Sequence, residues 1–199
     1  MELFLVTKND PLYPPELTNF LHENSPESLT SIGNLHILKH KKLALFCSVK
    51  CPGHLILKTH DFVHRLLELD IAVISGFHSP VEKECLRILL QGKAPIIICP
   101  ARSISNLRIP VSWKRLLNEE RLLLLSPFGE GFRRTNKNLA STRNRFVAAL
   151  ADEIIVSHAA TGGKTIEFVH EVVNWGKSML TFECAENARL LKEGAKPLD

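Results

Sequence analysis

The sequence predicts an α/β protein whose mainly parallel sheet of about six strands carries helices on both faces. Six short runs are apolar throughout instead of alternating with polar residues, as expected of strands that helices cover on both sides. These runs occupy residues 43–47, 71–75, 95–99, 122–126, 153–157 and 178–182. Amphipathic stretches separate most of the runs, and parallel strands require such crossover connections. The pattern is that of a Rossmann-like, doubly wound domain.

Residues 1–40 form an N-terminal extension that we expect to pack on the sheet. Pro11, Pro14 and Pro15 interrupt its first stretch, and a short helix is predicted at 17–22. Residues 26–29 and 32–35 are typical of turn and edge elements. We therefore place a single globular Rossmann-like domain at residues 41–199.

Four helices are predicted between the runs, because apolar residues recur there at helical spacing. They span residues 54–69, 81–91, 141–150 and 164–175. In the third, Ser141 and Thr142 are suited to capping the helix. The cap would place Arg143, Asn144 and Arg145 at the helix opening, where backbone N–H groups and two guanidiniums can hold a phosphate. The alternative is that both arginines form surface ion pairs.

The loop after the fifth run ends in Gly162-Gly163-Lys164-Thr165. It is not a nucleotide-hydrolysing P-loop, because that motif requires glycine where His158 stands. Paired glycines that lead into a helix can still present bare N–H groups to a phosphate, and Lys164 adds positive charge. The structural alternative is a glycine turn that simply begins the helix.

The loops after the first two runs exclude a dinucleotide cofactor. Residues 47–53 lack the three-glycine fingerprint, and no acidic residue follows at the spacing that holds a ribose. After the second run, Gly76 permits close backbone approach, Ser79 can cap a helix and Pro80 suits its first turn. We expect no cofactor.

Charge is mild overall but concentrated in one segment. The net charge is +4 over 199 residues, too small by itself to indicate a nucleic-acid-binding protein. A basic segment is a candidate anion-binding surface or, equally, a solvated loop. It contains Arg133, Arg134, Lys137, Arg143 and Arg145.

The five cysteines do not form a disulfide framework, and a reducing cytoplasm is expected. Cys47 and Cys51 have no second cysteine pair or suitably spaced histidine, so no metal site is predicted. No apolar run reaches the length of a membrane-spanning helix.

Five motifs, in order, carry a resemblance to a known family. They are Tyr13-Pro14-Pro15-Glu16-Leu17, Ile32-Gly33-Asn34-Leu35, Ser75-Gly76, Arg143-Asn144-Arg145 and Gly162-Gly163-Lys164-Thr165. From about residue 13 to 195 the chain resembles the Rossmann domain of the DprA/Smf family of DNA-processing proteins. The resemblance implies a bacterial cytoplasmic protein that binds single-stranded DNA without catalysis. It also implies a role in natural transformation, help in loading a RecA-type recombinase, and pairing as a homodimer.

The resemblance departs from the family pattern after the first strand. Where the family has Gly-Ser-Arg, this chain has Cys47-Ser48-Val49, and Lys50 follows one place later. Lys50 would therefore have to replace the family arginine.

A second resemblance, to LOG-like phosphoribohydrolases, comes from residues 161–167. This segment has paired glycines, Thr165 and Glu167. The resemblance implies a nucleotide-binding enzyme or a nucleotide-sensing module. Enzymes of that type use carboxylates to assist attack at a ribose carbon, and Glu82 is the other candidate.

The leading hypothesis is a basic phosphate pocket at the carboxyl ends of the strands, with no catalytic residues and no metal. Arg143 and Arg145 would contact phosphates, and Asn144 would fix the loop. The rest of the pocket would be Ser48, Lys50, Ser75, Gly76, Gly162, Gly163, Lys164 and Thr165.

Overall fold

The computed structural model describes residues 2–160 and 162–198, which contain one nine-stranded sheet. The strands are β1 (Phe4–Thr7), β2 (Ser28–Gly33), β3 (Lys41–Cys47), β4 (Ile71–Ser75), β5 (Ile96–Ile98), β6 (Leu122–Ser126), β7 (Glu153–His158), β8 (Ser178–Phe182) and β9 (Lys196–Leu198). The α-helices are α1 (Pro15–Leu21), α2 (Gly53–Leu66), α3 (Pro80–Leu89), α4 (Val111–Asn118), α5 (Lys137–Leu150), α6 (Lys164–Val173) and α7 (Ala188–Lys192). The strand order is β1-β2-β6-β5-β4-β3-β7-β8-β9.

The α/β class and the mainly parallel sheet are confirmed, but the expected count of about six strands is wrong. The six apolar runs became β3 to β8. The three added strands lack a continuous apolar run, because β1 is mostly exposed, β9 has three residues and β2 is largely polar. In β2, the buried Thr30 hydroxyl donates to the Ser126 carbonyl at 3.3 Å, so its polarity is satisfied within the sheet.

The N-terminal segment extends the sheet. The predicted helix at 17–22 corresponds to α1, but residues 28–33 form a strand that lies between β1 and β6. Both pairings of β2 are antiparallel, in contrast to the parallel pairs from β6 to β9. The division of the chain near residue 41 stays an interpretation.

Helices cover both faces of the sheet. One apolar cluster includes Leu17 of α1, Phe146 of α5 and Val169 of α6. The second includes Leu55 of α2 and Leu116 of α4, together with residues of α3. None of the described helices is long and apolar enough to cross a membrane.

Helix α5 begins one turn earlier than predicted. Its cap is Asn136, whose Oδ1 accepts from the Leu139 N–H at 2.9 Å. Ser141 and Thr142 therefore lie inside the helix, and the expectation that they cap it was wrong. As a consequence Arg143 and Arg145 lie beyond the first turn, where helical N–H groups are already bonded.

The strand order reverses direction at β3. From β3 the chain adds β4, β5 and β6 on one side, and it later adds β7 and β8 on the other side. In open α/β sheets, the crevice at the carboxyl ends of the strands flanking this reversal is the usual ligand site. The fold therefore directs attention to the loops after β3 and β7.

Candidate nucleic-acid interface

Ser48 joins the loops after β3 and β7. Its Oγ accepts from the Ala160 N–H and donates to Thr165 Oγ1, both at 3.0 Å. Its own N–H donates to the His158 carbonyl at 2.9 Å. Because Ser48 is buried and its hydroxyl is used in both directions, Ser48 and Thr165 hold the two loops against each other.

The glycine pair forms a tight turn into α6. Gly162 has φ +66°, a value that favours glycine, and Gly163 donates its N–H to the Ala160 carbonyl at 2.9 Å. A Cβ on Gly163 would lie 2.9 Å from that same carbonyl oxygen. Among the described residues no side chain caps α6, so its first turn presents N–H groups that an anion can accept.

Two lysines flank the contact between these loops. Lys50 and Lys164 are exposed, and neither forms an ion pair within residues 2–160 and 162–198. Lys164 is the first residue of α6, where the helix dipole disfavours a cation. A bound anion at this helix end would offset that repulsion, so both lysines are suited to contacting phosphate.

The hydroxyl of Ser75 fixes the start of the loop after β4. Ser75 Oγ donates to the Leu45 carbonyl at 2.8 Å and accepts from the Phe77 N–H at 3.1 Å. A Cβ on Gly76 would lie 0.9 Å from Nη1 of Arg143. In this arrangement the guanidinium of Arg143 occupies the space that a side chain at position 76 would need.

Arg143 is a buried cation, with 5% of its surface exposed. Its Nε donates to Asn144 Oδ1 at 2.9 Å, and its Nη1 donates to the Cys99 carbonyl at 3.1 Å. Burial lowers the pKa of Arg143, while the negative charge of Glu82 opposes that shift. In this structure Arg143 ties α5 to the loops after β4 and β5, and Asn144 orients the guanidinium rather than a loop.

Glu82 uses both carboxylate oxygens within the protein. One oxygen accepts from the Cys47 N–H at 3.0 Å, and the other accepts from His78 at 2.8 Å and Ser79 at 3.2 Å. Ser79 completes a capping box at the start of α3. Glu82 thus anchors the end of β3 to α3, whereas Glu167 is exposed on the first turns of α6.

Arg145 forms an ion pair on the helical layer. Its Nε lies 2.6 and 2.7 Å from the two oxygens of Glu171, and its Nη1 donates to Ser141 Oγ at 3.2 Å. The hydrogen bond that Arg145 donates to Glu171 raises the pKa of Arg145. The pair lines a groove of about 810 Å³ between α1, α5, α6 and the loop after β6, with Phe132 and Trp175 also in its wall.

Three exposed cations were predicted to belong to the basic segment but were not included in the predicted phosphate pocket. Arg133 and Arg134 lie in the loop after β6, and Lys137 begins α5. Arg102, in the loop after β5, was missed altogether, although a cation just after a predicted strand was a usable signal. The Ser103 N–H donates to the Phe132 carbonyl at 2.8 Å and so joins these two loops. All four cations are exposed and without an ion pair among the described residues.

Two thiols at the carboxyl edge of the sheet, those of Cys51 and Cys184, should differ in reactivity. A hydrogen bond from Cys47 lowers the pKa of Cys51, whereas burial raises the pKa of Cys184, and both side chains are partly exposed. We expect iodoacetamide to alkylate Cys51 faster than Cys184 at neutral pH, because the thiolate is the nucleophile. Peptide mapping over a pH series measures both rates. In Cys47→Ala, which removes the hydrogen bond, Cys51 should slow; an unchanged rate would contradict the assignment.

Comparisons with known proteins agree with this architecture. The model of the DNA recombination-mediator protein A family matches residues 4–198. The structure of DNA processing protein A (DprA) from Streptococcus pneumoniae superposes with a TM-score of 0.81 at 22% identity, covering 100% of this chain and 71% of that one. DNA processing protein A from Helicobacter pylori, whose structure addresses its single-stranded DNA binding mode, gives a TM-score of 0.76 at 17% identity, covering 99% and 91%.

No curated protein matches the sequence significantly. The two structural likenesses show that the DprA fold extends over the whole length of this chain. The family model, which covers nearly every residue, identifies the relationship itself. The chain belongs to the DNA recombination-mediator protein A family of DNA-processing proteins.

Proposed function

We propose that the chain binds the phosphates of single-stranded DNA at the carboxyl edge of β3 and β7 and performs no catalysis. The start of α6, which no side chain within residues 2–160 and 162–198 caps, carries the proposal, since it lies at the reversal of strand order beside Lys50 and Lys164. The contact between Ser48 and Thr165 brings the loops bearing these two lysines together. Backbone N–H groups and lysines recognise phosphate without reading base identity, so binding tolerates any sequence.

Membership of the family and the strand binding of the Helicobacter pylori relative support this function. The proposal extends to DNA uptake and recombination in the cytoplasm. There the bound strand passes to a RecA-type recombinase, and two copies of the chain act as a homodimer.

We divide the residues of the predicted pocket into those that contact phosphates and those that hold the loops in place. Gly162, Gly163 and Lys164 meet one phosphate, and Lys50 meets the next. The strand continues toward the exposed cations in the loops after β5 and β6, which are Arg102, Arg133, Arg134 and Lys137. The remaining residues keep the loops in place through buried hydrogen bonds, and they are Ser48, Ser75, Gly76, Arg143, Asn144 and Thr165. Arg145 forms an ion pair with Glu171, which offsets its positive charge, so it contributes little to phosphate binding.

Replacing Lys50 or Lys164 with alanine should weaken binding of all oligonucleotides to a similar extent. Each lost phosphate contact should also reduce the slope of log affinity against log salt by about one. Fluorescence anisotropy with a labelled single strand across a salt series measures both quantities.

The matched control is Lys93→Ala, which removes an equal charge at the opposite edge of the sheet, just before β5. It should leave the slope unchanged. Wild-type slopes in both Lys50→Ala and Lys164→Ala would contradict the proposed contacts.

The exposed carboxylate of Glu167 beside the glycine turn favours one alternative, a LOG-like phosphoribohydrolase or nucleotide sensor. Competition with AMP in the same assay separates the two functions. Failure of AMP to displace the strand supports the DNA-binding function. Saturable AMP binding without strand binding, or release of free adenine, would replace it.

A further inference from the structure

Three metal-ligating side chains from distant parts of the sequence meet at one point. His54 lies in the first turn of α2, and Cys184 and Glu186 lie in the loop after β8. One ligand atom from each lies within 4.8 Å of the other two. His54 Nε2 is 3.6 Å from Glu186 Oε2. Neither the proposed DNA contacts nor the core requires this meeting.

The donor set suits zinc. Imidazole nitrogen, thiolate sulfur and carboxylate oxygen are the three ligand types that Zn²⁺ uses in proteins. Around a tetrahedral zinc ion the donor atoms lie roughly 3.3–3.8 Å apart. Because His54 and Glu186 are exposed and Cys184 is half-buried, small side-chain rotations suffice to reach that separation.

The backbone that carries two of the ligands is fixed in place. The buried side chain of Asn187 donates to the Ser157 carbonyl at 3.0 Å, to Thr181 Oγ1 at 3.0 Å and to the Phe182 carbonyl at 3.2 Å. Its Oδ1 also lies 3.0 Å from Nδ1 of His158. Cys184 and Glu186 therefore sit on a loop that is preorganised against the ends of β7 and β8, which reduces the entropy cost of binding an ion.

We propose that His54, Cys184 and Glu186 bind one Zn²⁺ ion and leave its fourth coordination position to water. Binding replaces the thiol proton of Cys184, which passes to the solvent, while His54 coordinates as neutral imidazole. The ion joins the start of α2 to the loop after β8. It lies at the carboxyl edge of the sheet but uses none of the residues assigned to phosphate, so this site is independent of the proposed DNA binding.

The test is a zinc titration of reduced, metal-stripped protein in competition with a chromogenic chelator. One equivalent should bind to the wild type. His54→Gln and Cys184→Ser should each weaken that site by about tenfold or more, because even loss of an outer-shell partner costs roughly 10- to 100-fold. With Co²⁺, the wild type should show a thiolate-to-metal charge-transfer band that Cys184→Ser lacks.

Two variants serve as controls. Glu183→Gln removes an exposed carboxylate next to Cys184 but outside the cluster, and it should bind zinc as tightly as the wild type. Cys51→Ser removes a thiol that lies outside the cluster, next to Cys47, and should do the same. Circular dichroism checks that each variant is folded. Absence of stoichiometric binding to the wild type, or loss of the site in Cys51→Ser but not in Cys184→Ser, would overturn the proposal.

Discussion

Replacing Gly76 with alanine should lower the free energy of unfolding by about 2–4 kcal/mol. The new Cβ would lie 0.9 Å from Nη1 and 1.8 Å from Cζ of Arg143. The guanidinium would have to leave its buried position, losing its bond to the Cys99 carbonyl and leaving that acceptor unpaired. Urea unfolding followed by circular dichroism measures the change. Gly129→Ala, where a Cβ meets nothing within 4 Å, is the matched control and should be nearly neutral.

A double-mutant cycle identifies the cause. Arg143→Ala alone should also destabilise the protein by about 2–4 kcal/mol, because it removes a buried, hydrogen-bonded cation close to Glu82. In that background the space beside Gly76 is empty, and Gly76→Ala should then cost less than about 1 kcal/mol. If the two single effects simply add, the clash with Arg143 is not the reason that position 76 is glycine.

Continuous apolar character made six strands predictable from sequence. Strands β3 to β8 each contribute residues to the apolar clusters on both faces of the sheet, so burial itself selects the residues that reveal them. Strand β1 is exposed along most of its length, and β2 buries Thr30 and Ser31 with their hydroxyls bonded to neighbouring strands. A one-dimensional hydrophobic pattern does not record that kind of satisfied polarity, so these strands were missed.

The strand pattern was enough to predict which loops lie at the candidate site, but it did not predict where the side chain of Arg143 points. Ser48, Gly76 and Gly163 follow predicted strands, which places them at one edge of any parallel sheet. Arg143 was predicted to contact a phosphate because the helix was predicted to begin at Ser141, which would place Arg143 in its first turn. With the cap at Asn136, Arg143 shares a helix face with Phe146 and Val147, three and four residues on, and that face is buried.

Pairings between distant residues were beyond the sequence. The Glu82 carboxylate accepts hydrogen bonds from backbone groups of β3 and of the loop before α3. No local sequence pattern predicts that these groups meet. The meeting of His54 with Cys184 and Glu186 likewise depends on the adjacency of β3, β7 and β8 in the sheet. Spacing rules find metal sites only when ligands are close in sequence.

Replacing Glu82 with alanine should lower the free energy of unfolding by about 3–5 kcal/mol. Three backbone N–H groups would lose their acceptor: those of Cys47 and Ser79 in buried positions, and that of His78 in a partly buried one. Arg143 would also lose the negative charge that offsets its burial.

Glu82→Gln separates anchoring from catalysis. Glutamine keeps the shape of the side chain but turns an NH₂ group toward backbone donors, so it should also destabilise the protein, by about 1–3 kcal/mol. Glu84→Gln, a partly exposed position on the same helix, is the matched control and should stay within about 0.5 kcal/mol of the wild type. Under conditions where Glu82→Gln remains folded, we expect wild-type affinity for single-stranded DNA. Wild-type stability combined with loss of a nucleotide-hydrolysing activity would instead make Glu82 a catalytic residue.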